Sequence, residues 1–309
     1  MTTVSSPILD NNRLDHQRDG LLAWQGWHVR VPTDWSPIKI EGDFDRGFVA
    51  MADLDRERIG IRWQQARKNG DPHKLVAAAM INEVGVLAAA EATASNNEHW
   101  SAARLYIEPD PPGRDVWIAY SAATGRLVQI VYQAVRRDNV LRDTLVPHVR
   151  DTGEAGGATL WAAFWLNVTL PRPMKLNAQR LNVGDLALSF ATPAGELLVR
   201  QMAAARVALA RRPLSAWVTA NREPKRYRPV DEPETVTVAG MAGVMQRYTR
   251  RRRLVLARWI PRGFVSYCMH DTASDRLTIV RAPDDDLAQQ AINGIGQLNA
   301  AAVGKDGGP

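Results

Sequence analysis

Apolar and polar residues alternate along several short stretches of the chain, and two of these stretches resemble each other. Gly47 to Gln64 reads GFVAMADLDRERIGIRWQ, and Gly184 to Gln201 reads GDLALSFATPAGELLVRQ. In each stretch an apolar run is interrupted by polar and turn-forming residues and then resumes, which is the pattern of a β-hairpin. The repeated hairpin predicts that one structural unit occurs twice in the chain.

Two further pairs of segments occur in the same order around these hairpins. Trp27 to Pro32 resembles Trp165 to Pro171, a short strand that a proline ends, and Trp117 to Ile130 matches Tyr267 to Val280 without a gap. Three matching segments in one order favour a duplication over chance.

Helical patterns lie between the predicted strands. Asp71 and Pro72 are typical of a helix N-terminus and precede an alanine-rich stretch that extends to about Glu91. Further helices are predicted from Asp138 to His148 and from Leu197 or later through Trp217. The predicted fold class is therefore α+β, with two tandem βββαβββα units, each an antiparallel sheet covered by helices, arranged as a pseudo-dimer.

The domain boundaries follow from the repeat and from the small residues around Gly153, Gly156 and Gly157. We predict a flexible N-terminal tail at 1–21, a first α+β repeat at 22–152, a Gly-rich linker at 153–159, a second repeat at 160–299 and a flexible C-terminal tail at 300–309. A chain of 309 residues is long enough for two domains that each bury a core.

The composition predicts a soluble, cytoplasmic protein. Hydrophobic residues make up 45% of the chain and charged residues 23%, which is ordinary for globular proteins. No run reaches the roughly 18 apolar residues of a membrane span, and the first residues lack the apolar region of a signal peptide. The single cysteine, Cys268, excludes an intrachain disulfide framework and a cysteine-rich zinc site.

Tryptophans are frequent near the predicted first strands, and we take five of them as candidates for binding a partner protein. Core packing explains most of them, because an indole buries a large apolar area. An apolar binding groove is the alternative. The candidates are Trp24, Trp27, Trp35, Trp161 and Trp165.

Residues 211 to 262 form a basic segment. It contains 13 Lys and Arg and 4 Asp and Glu, a balance of +9, while the whole chain carries +6. Basic residues interleaved with aromatic ones are typical of a nucleic-acid or polyanion surface, although a solvated strand edge explains the same charges. The candidate polyanion-binding residues are Lys225, Arg226, Arg228, Arg247, Arg250, Arg251, Arg252 and Arg253.

No motif in the sequence predicts a reaction. Cys268 and His270 share a face of a predicted strand and could pair as nucleophile and base, but a buried thiol and a core histidine explain them better. Phosphate-binding loops and nucleophile-elbow motifs are missing. We assign no catalytic residues, no metal and no cofactor.

Acidic residues cluster in the first hairpin and could in principle gather a hard cation, which takes oxygen ligands. Solvated turn residues explain them better, because the spacing of a calcium loop is missing and the matching turn of the second hairpin is Thr192-Pro-Ala-Gly195. These residues are Asp43, Asp45, Asp53, Asp55 and Glu57.

The stretch Val29 to Trp35, VRVPTDW, is a strand ended by proline and followed by tryptophan. Within a βββαβββα unit, this pattern resembles the PsbP/DcrB/Mog-like group. The resemblance covers both halves and is weaker in the second, where Arg172 to Met174 replaces Thr-Asp-Trp. It implies antiparallel sheets covered by helices and a binding or assembly role without a catalytic centre. Some members, the effector-associated chaperones of type VI secretion, act as dimers that shelter apolar helices of a client, and a tandem chain resembles such a dimer fused.

We therefore expect a non-enzymatic protein-binding, chaperone or assembly factor whose partner is another protein. The alternative is a nucleic-acid or polyanion binder that uses the basic segment 211–262. The third possibility is an enzyme with a cleft between the repeats. The sequence leaves the question of enzymatic activity open.

Overall fold

The computed structural model describes residues 19–66, 70–95, 99–110, 112–136, 138–152, 157–171, 174–182, 184–221, 227–250 and 263–295. The strands in these ranges are β1 (Asp19–Trp24), β2 (Trp27–Pro32), β3 (Ser36–Gly42), β4 (Arg46–Ala52), β5 (Glu57–Gln65), β6 (Thr93–Ala94), β7 (Ala102–Tyr106), β8 (Gly113–Ser121), β9 (Arg126–Ala134), β10 (Arg150–Asp151), β11 (Ala158–Ala163), β12 (Leu166–Pro171), β13 (Lys175–Asn182), β14 (Asp185–Thr192), β15 (Gly195–Ala203), β16 (Tyr227–Pro229), β17 (Glu234–Val238), β18 (Met241–Arg250), β19 (Gly263–Asp271) and β20 (Arg276–Ala282). The helices are α1 (Pro72–Val84), α2 (Val86–Glu91), α3 (Ala205–Leu209), α4 (Leu214–Ala220) and α5 (Asp285–Gly294), with a π-helical turn at Val140–Leu145 and a 3₁₀ turn at Val146–His148.

The strands form three antiparallel sheets. A central sheet of five strands has the order β10-β2-β1-β11-β12. The first large sheet has the order β3-β4-β5-β9-β8-β7-β6, and the second has the order β13-β14-β15-β20-β19-β18-β16, with β17 also paired to β18. The two large sheets therefore follow the same order over six strands, from the edge strands β3 and β13 to β7 and β18.

The resemblance of the large sheets extends to detail. The hairpin of Gly47 to Gln64 forms β4 and β5, and the hairpin of Gly184 to Gln201 forms β14 and β15. Both edge strands have a register shift at the corresponding place, between Pro37 and Lys39 in β3 and between Leu176 and Ala178 in β13. Local sequence similarity thus corresponds to matching positions in the two sheets.

The two halves of the chain meet through their opening hairpins and through their edge strands. In the central sheet, β1 pairs with β11 at Ala23 and Ala162. At the edges of the large sheets, the side-chain amide of Gln179 donates a hydrogen bond to the carbonyl oxygen of Ile40, at 2.9 Å. The central sheet is therefore shared between residues from both halves.

One continuous apolar cluster contains side chains from all three sheets and from α5. Alternation in β2 explains how the central sheet contributes, because Trp27, Val29 and Val31 are buried while His28 and Arg30 between them are more exposed. The largest side chains at its centre are indoles from different strands. They belong to Trp24, Trp27, Trp63, Trp117 and Trp161.

The opposite faces of the large sheets carry short helices. The Asp71 side chain caps α1 by accepting hydrogen bonds from the backbone N–H groups of His73 and Lys74, at 2.9 and 3.4 Å. The helix predicted beyond α1 is interrupted at Gly85, whose φ of 86° is readily adopted only by glycine. In the second half, Trp217 of α4 takes part in a separate apolar cluster on the outer face of the second large sheet.

A buried ion pair fixes β9 to β10. The Arg126 guanidinium contacts the Asp151 carboxylate, with Nε 3.2 Å from Oδ2, and both side chains are 0% exposed. Arg126 also donates to the carbonyl oxygens of Gln25, at 2.6 Å, and Phe44, at 3.2 Å. Buried charges need such partners, and this set links the first large sheet to the central sheet.

The predicted α+β fold class, with two βββαβββα units in a pseudo-dimer, is wrong. Strands account for about 55% of the described residues and helices for about 21%. The helix predicted from Leu197 or later through Trp217 does not begin at Leu197, because β15 continues to Ala203 with alternate residues such as Leu197 and Val199 buried. Two short helices, α3 and α4, lie in the rest of that range. The segment from Asp138 to His148 forms π and 3₁₀ turns. The opening hairpins pair with each other in the central sheet, so the halves are not two separate sheets covered by helices.

The structure also bears on the ends of the predicted domains. β1 begins at Asp19, inside the stretch predicted as an N-terminal tail, and α5 ends at Gly294. Residues 1–18, 153–156 and 296–309, which contain most of the predicted tails and linker, lie outside the described residues. The boundaries at 22–152 and 160–299 remain predictions.

Candidate functional site

The tryptophans proposed as partner-binding residues lie mostly in the core. Trp24, Trp27, Trp35 and Trp161 are buried, and the Trp24 and Trp161 rings meet edge to face across the two halves, with centroids 5.3 Å apart. Trp165 is partly buried in the turn between β11 and β12. These four buried indoles stabilise the fold and offer no surface to a partner.

Trp165 packs against a charged neighbour. The guanidinium of Arg276 lies 5.0 Å from the centroid of the Trp165 ring, a distance typical of a cation–π contact. The ring of Phe164 lies 5.8 Å away in the same turn. Trp165 is therefore occupied by contacts within its own half.

Cys268 and His270 do not form a nucleophile and base. Cys268 is buried on β19, and burial raises the pKa of its thiol to about 12. The reactive form of cysteine is the thiolate, which a thiol with this pKa does not form near neutral pH. Among the described residues, no three His, Cys, Asp or Glu side chains gather in an arrangement that could hold a metal ion.

The acidic residues in and just before the first hairpin lie in two turns, one between β3 and β4 and one between β4 and β5. The Asp43 carboxylate accepts hydrogen bonds from the backbone of Asp45 and Arg46, at 3.0 and 3.1 Å. Asp53 does the same at the other end of β4 and also binds Arg58, with Nε 2.5 Å from Oδ2. Because the two turns lie at opposite ends of one strand, these carboxylates do not converge on one cation.

The structure describes part of the basic segment. Lys225, Arg226 and Arg251 to Arg253 lie outside the described residues. Arg228 and Arg247 are exposed, and Arg250 is half-buried and paired with Tyr227 between β18 and β16. The candidate residues that the structure describes, Arg228, Arg247 and Arg250, therefore lie on β16 and β18 at one side of the second large sheet.

The aromatic residues of this region are not available for stacking on nucleic-acid bases. Tyr227, Tyr248 and Phe264 are buried against one another, with the Tyr248 and Phe264 rings stacked at 4.7 Å. The guanidinium of Arg281 lies 4.8 Å from the Phe264 ring centroid. Single-stranded nucleic-acid binding relies on exposed aromatic faces, and these rings pack within the protein.

Apolar side chains gather on the surface at the junction of α1 and α2. Ile81, Val86 and Leu87 are 41%, 69% and 86% exposed, while Val76 and Met80 of α1 are buried against the first large sheet. Gathered exposed apolar groups mark interaction sites, whereas single ones are ordinary. We call Ile81, Val86 and Leu87 the α1–α2 apolar surface. The other large apolar side chains exposed in the described residues are on separate elements: Ile38, Leu54, Ile107, Val207 and Val230.

Next to α1, the outer face of the first large sheet forms an open groove of about 540 Å³ over β4, β5 and β9. Cross-strand pairing places Phe48, Arg62 and Gln129 in one row. Arg46 and Gln64 lie opposite each other in the next row. We call this region the Arg62 groove, and its floor is a row of polar side chains on a rigid sheet.

The cations of the groove are weakly neutralised. Arg62 Nη1 lies 3.9 Å from Glu83 Oε2, and Glu83 also binds Arg114 more closely. The Arg62 guanidinium lies 5.6 Å from the centroid of the Phe48 ring. Gln129 Nε2 is buried and has no hydrogen-bond partner among the described residues. A buried donor without an acceptor is costly, so a bound acceptor here would be stabilised.

The groove is linked to α1 through Glu83, whose carboxylate contacts Arg62. Together they combine exposed apolar area with hydrogen-bond donors. No family model, curated protein or solved structure matches this chain. The function is therefore inferred from the contacts and charges of the chain itself.

The helices in the described ranges are all too short or too polar to span a membrane.

The residues of the outer face were missed in the sequence for a physical reason: Val86 and Leu87 are part of an alanine-rich stretch that reads as a buried helix. The glycine at 85 was the available signal, because a glycine inside a helical pattern can end the helix and turn the following residues outward.

Proposed function

We propose that this protein is a non-enzymatic protein-binding factor, acting in assembly or as a chaperone, that recognises another protein through the outer face of its first large sheet. The observation that carries this proposal is the α1–α2 apolar surface, where Val86 and Leu87 are 69% and 86% exposed. Burying such side chains on a partner contributes roughly 1.5–3 kcal/mol for each one that is fully buried.

Two features support binding over the alternatives. The Cys268 thiol, the nucleophile considered from the sequence, is buried with a pKa of about 12. Tyr227 and Tyr248 of the basic segment are buried against Phe264, which leaves nucleic-acid binding with less support than protein binding. A cytoplasmic location is part of the proposal, and a chain with a single cysteine, which rules out an intrachain disulfide, fits a reducing compartment.

Affinity capture from the native host tests this function. The tagged wild type is compared with a Val86→Ser/Leu87→Ser double variant and with a Leu54→Ser control, since Leu54 is fully exposed in the turn between β4 and β5. We expect one protein to be recovered in near-stoichiometric amount with the wild type and the control, and much less with the double variant. Equal recovery with all three chains would contradict the proposal.

A further inference from the structure

Arg62 and Arg200 occupy the same position in the two large sheets. Arg62 on β5 pairs with Gln129 on β9, and Arg200 on β15 pairs with Ile279 on β20. The strand orders β4-β5-β9 and β14-β15-β20 correspond. The surroundings of Arg200 therefore show which group can bind an arginine at this position of the sheet.

In the second large sheet the arginine holds a carboxylate from the neighbouring strand. Arg200 binds Asp185 through two hydrogen bonds, Nε to Oδ1 at 2.6 Å and Nη2 to Oδ2 at 2.9 Å. Arg180 Nη1 donates to the same Oδ2 at 2.8 Å. The hydrogen bonds from Arg200 and Arg180 lower the pKa of Asp185, as expected for a paired carboxylate.

In the first large sheet the corresponding carboxylate is missing. Asp185 pairs with Met202, two residues after Arg200. The corresponding residue of the first large sheet is Arg46, which pairs with Gln64, two residues after Arg62. Within the described part of the chain, no carboxylate lies within ion-pair distance of the Arg46 side chain. Glu41, the nearest acidic residue along β3, is paired with Lys39 at 3.2 Å.

The position beside Arg62 is open and carries an additional hydrogen-bond donor, whereas the position beside Arg200 is filled. The groove beside Arg62 measures about 540 Å³, whereas Asp185 and Arg180 occupy the equivalent place beside Arg200. The unpartnered Gln129 Nε2 lies next to Arg62, where the second large sheet has the apolar Ile279. Two guanidinium groups and a buried amide donor thus line the groove, together with the Glu41 carboxylate, which is paired with Lys39.

We propose that the Arg62 groove binds a carboxylate from an acidic, extended segment of the partner protein, in the place that Asp185 fills in the second large sheet. This inference rests on the proposed function. The groove is open, and the Arg62 side chain is 60% exposed, so it cannot enclose a small anion. An extended protein segment can lay a carboxylate along such an open groove, where the exposed cations Arg46 and Arg62 are complementary to its charge.

Fluorescence anisotropy with a fluorescein-labelled hexaglutamate peptide tests the inference, with labelled hexaglutamine as the neutral control. Wild-type protein should bind hexaglutamate and not hexaglutamine. Arg62→Gln and Arg46→Asp should each weaken binding by about tenfold or more, since charge-assisted hydrogen bonds are lost. Arg56→Asp, an equal charge change in the turn at the other end of β4, should leave binding close to that of the wild type.

The Arg46→Asp variant also provides a readout that does not depend on the peptide. It supplies an internal carboxylate to Arg62, as Asp185 does to Arg200, so its urea midpoint should exceed that of Arg46→Ala. A midpoint no higher than that of Arg46→Ala would contradict the equivalence of the two sites. Absence of hexaglutamate binding by the wild type, or equal binding by Arg46→Asp and Arg56→Asp, would overturn the inference.

The failure of this inference can be told apart from the failure of the proposed function. If hexaglutamate does not bind but capture still depends on Val86 and Leu87, the protein-binding function stands and the carboxylate site is wrong. If capture is indifferent to Val86 and Leu87, the proposed function falls, whatever the peptide does.

Discussion

Arg62 and Arg200 lie at matching positions in the two large sheets, yet only Arg200 holds an aspartate from the adjacent strand. The difference shows how two sheets of the same order can have different surfaces. In the second half, Asp185 and the side chains of α4 close the outer face around Arg200. In the first half, the corresponding face is an open groove beside exposed apolar side chains, and we therefore place recognition there.

The buried ion pair gives a prediction about stability. Asp151→Asn should leave the Arg126 guanidinium buried without its anion and lower the free energy of unfolding by about 3–5 kcal/mol. Urea unfolding measures this. The matched control is Asp143→Asn, which removes the partner of Arg142 from an exposed pair and should cost at most about 1 kcal/mol. Equal losses in the two variants would mean that Arg126 and Asp151 are not the buried pair described.

Gly47 should tolerate no side chain. A Cβ there would lie 2.1 Å from Cζ2 of Trp63 and 2.4 Å from the carbonyl oxygen of Glu41. Gly47→Ala should therefore cost about 1–3 kcal/mol through overpacking, measured by urea unfolding. Gly60→Ala is the control, because its nearest neighbour is the Phe48 side chain at 3.2 Å; a smaller loss is expected, and the reverse order would contradict the packing of Trp63.

His28 should make the fold sensitive to acid. Burial lowers its pKa from 6.5 to about 4, helped by Arg150, Arg30 and His99 and opposed by Asp151. Between these two values the unfolded chain binds a proton that the folded chain does not, so stability falls as the pH falls from 6.5 to about 4. The loss is on the order of 2–3 kcal/mol. Urea unfolding at several pH values should show this slope in the wild type and a reduced slope in His28→Gln; identical slopes would contradict it.

Cys268 should be chemically inert in the folded protein. Because its thiol is buried with a pKa of about 12, iodoacetamide should label it very slowly at neutral pH and rapidly in urea. Cys268→Ala should keep partner capture intact and cost about 1–2 kcal/mol, as removal of a small buried group does. Fast labelling of the native protein, or loss of capture with the fold retained, would restore a chemical role for the thiol.

The sequence predicts the strands better than their partners. Alternation of apolar residues identifies the hairpins β4–β5 and β14–β15 most clearly in their second strands, where buried residues such as Trp63 and Val199 alternate with more exposed ones. The pairing of β1 with β11 at Ala23 and Ala162 is a contact between distant parts of the chain, and alternation within one strand cannot specify it. The helix assignment from Leu197 was wrong because apolar residues in a short run fit both periods.

The equivalence of Arg62 and Arg200 is hidden in the sequence because the two hairpins, aligned without a gap, are out of register by one residue. Matched without a gap, Gly47 to Gln64 and Gly184 to Gln201 place Arg62 opposite Val199, whereas the strand pairing places it opposite Arg200. The same displacement hides the exchange of Asp185 for Arg46. In the opening hairpins, Trp165 was matched to Trp27, but Trp165 lies in the β11–β12 turn and Leu166 takes the position of Trp27. Turns of different length move equivalent residues apart, which only cross-strand pairing reveals.

Site-specific photocrosslinking in the native host tests most directly whether the outer face of the first large sheet is the contact surface. A benzoylphenylalanine residue is introduced at Leu87 of the α1–α2 apolar surface and, in a second strain, at Leu54, which is fully exposed but lies in the β4–β5 turn. The proposed function predicts a discrete crosslinked product of higher mass from position 87 and none from position 54. The same pattern of products from both positions, or no product from position 87 while position 54 gives one, would contradict it.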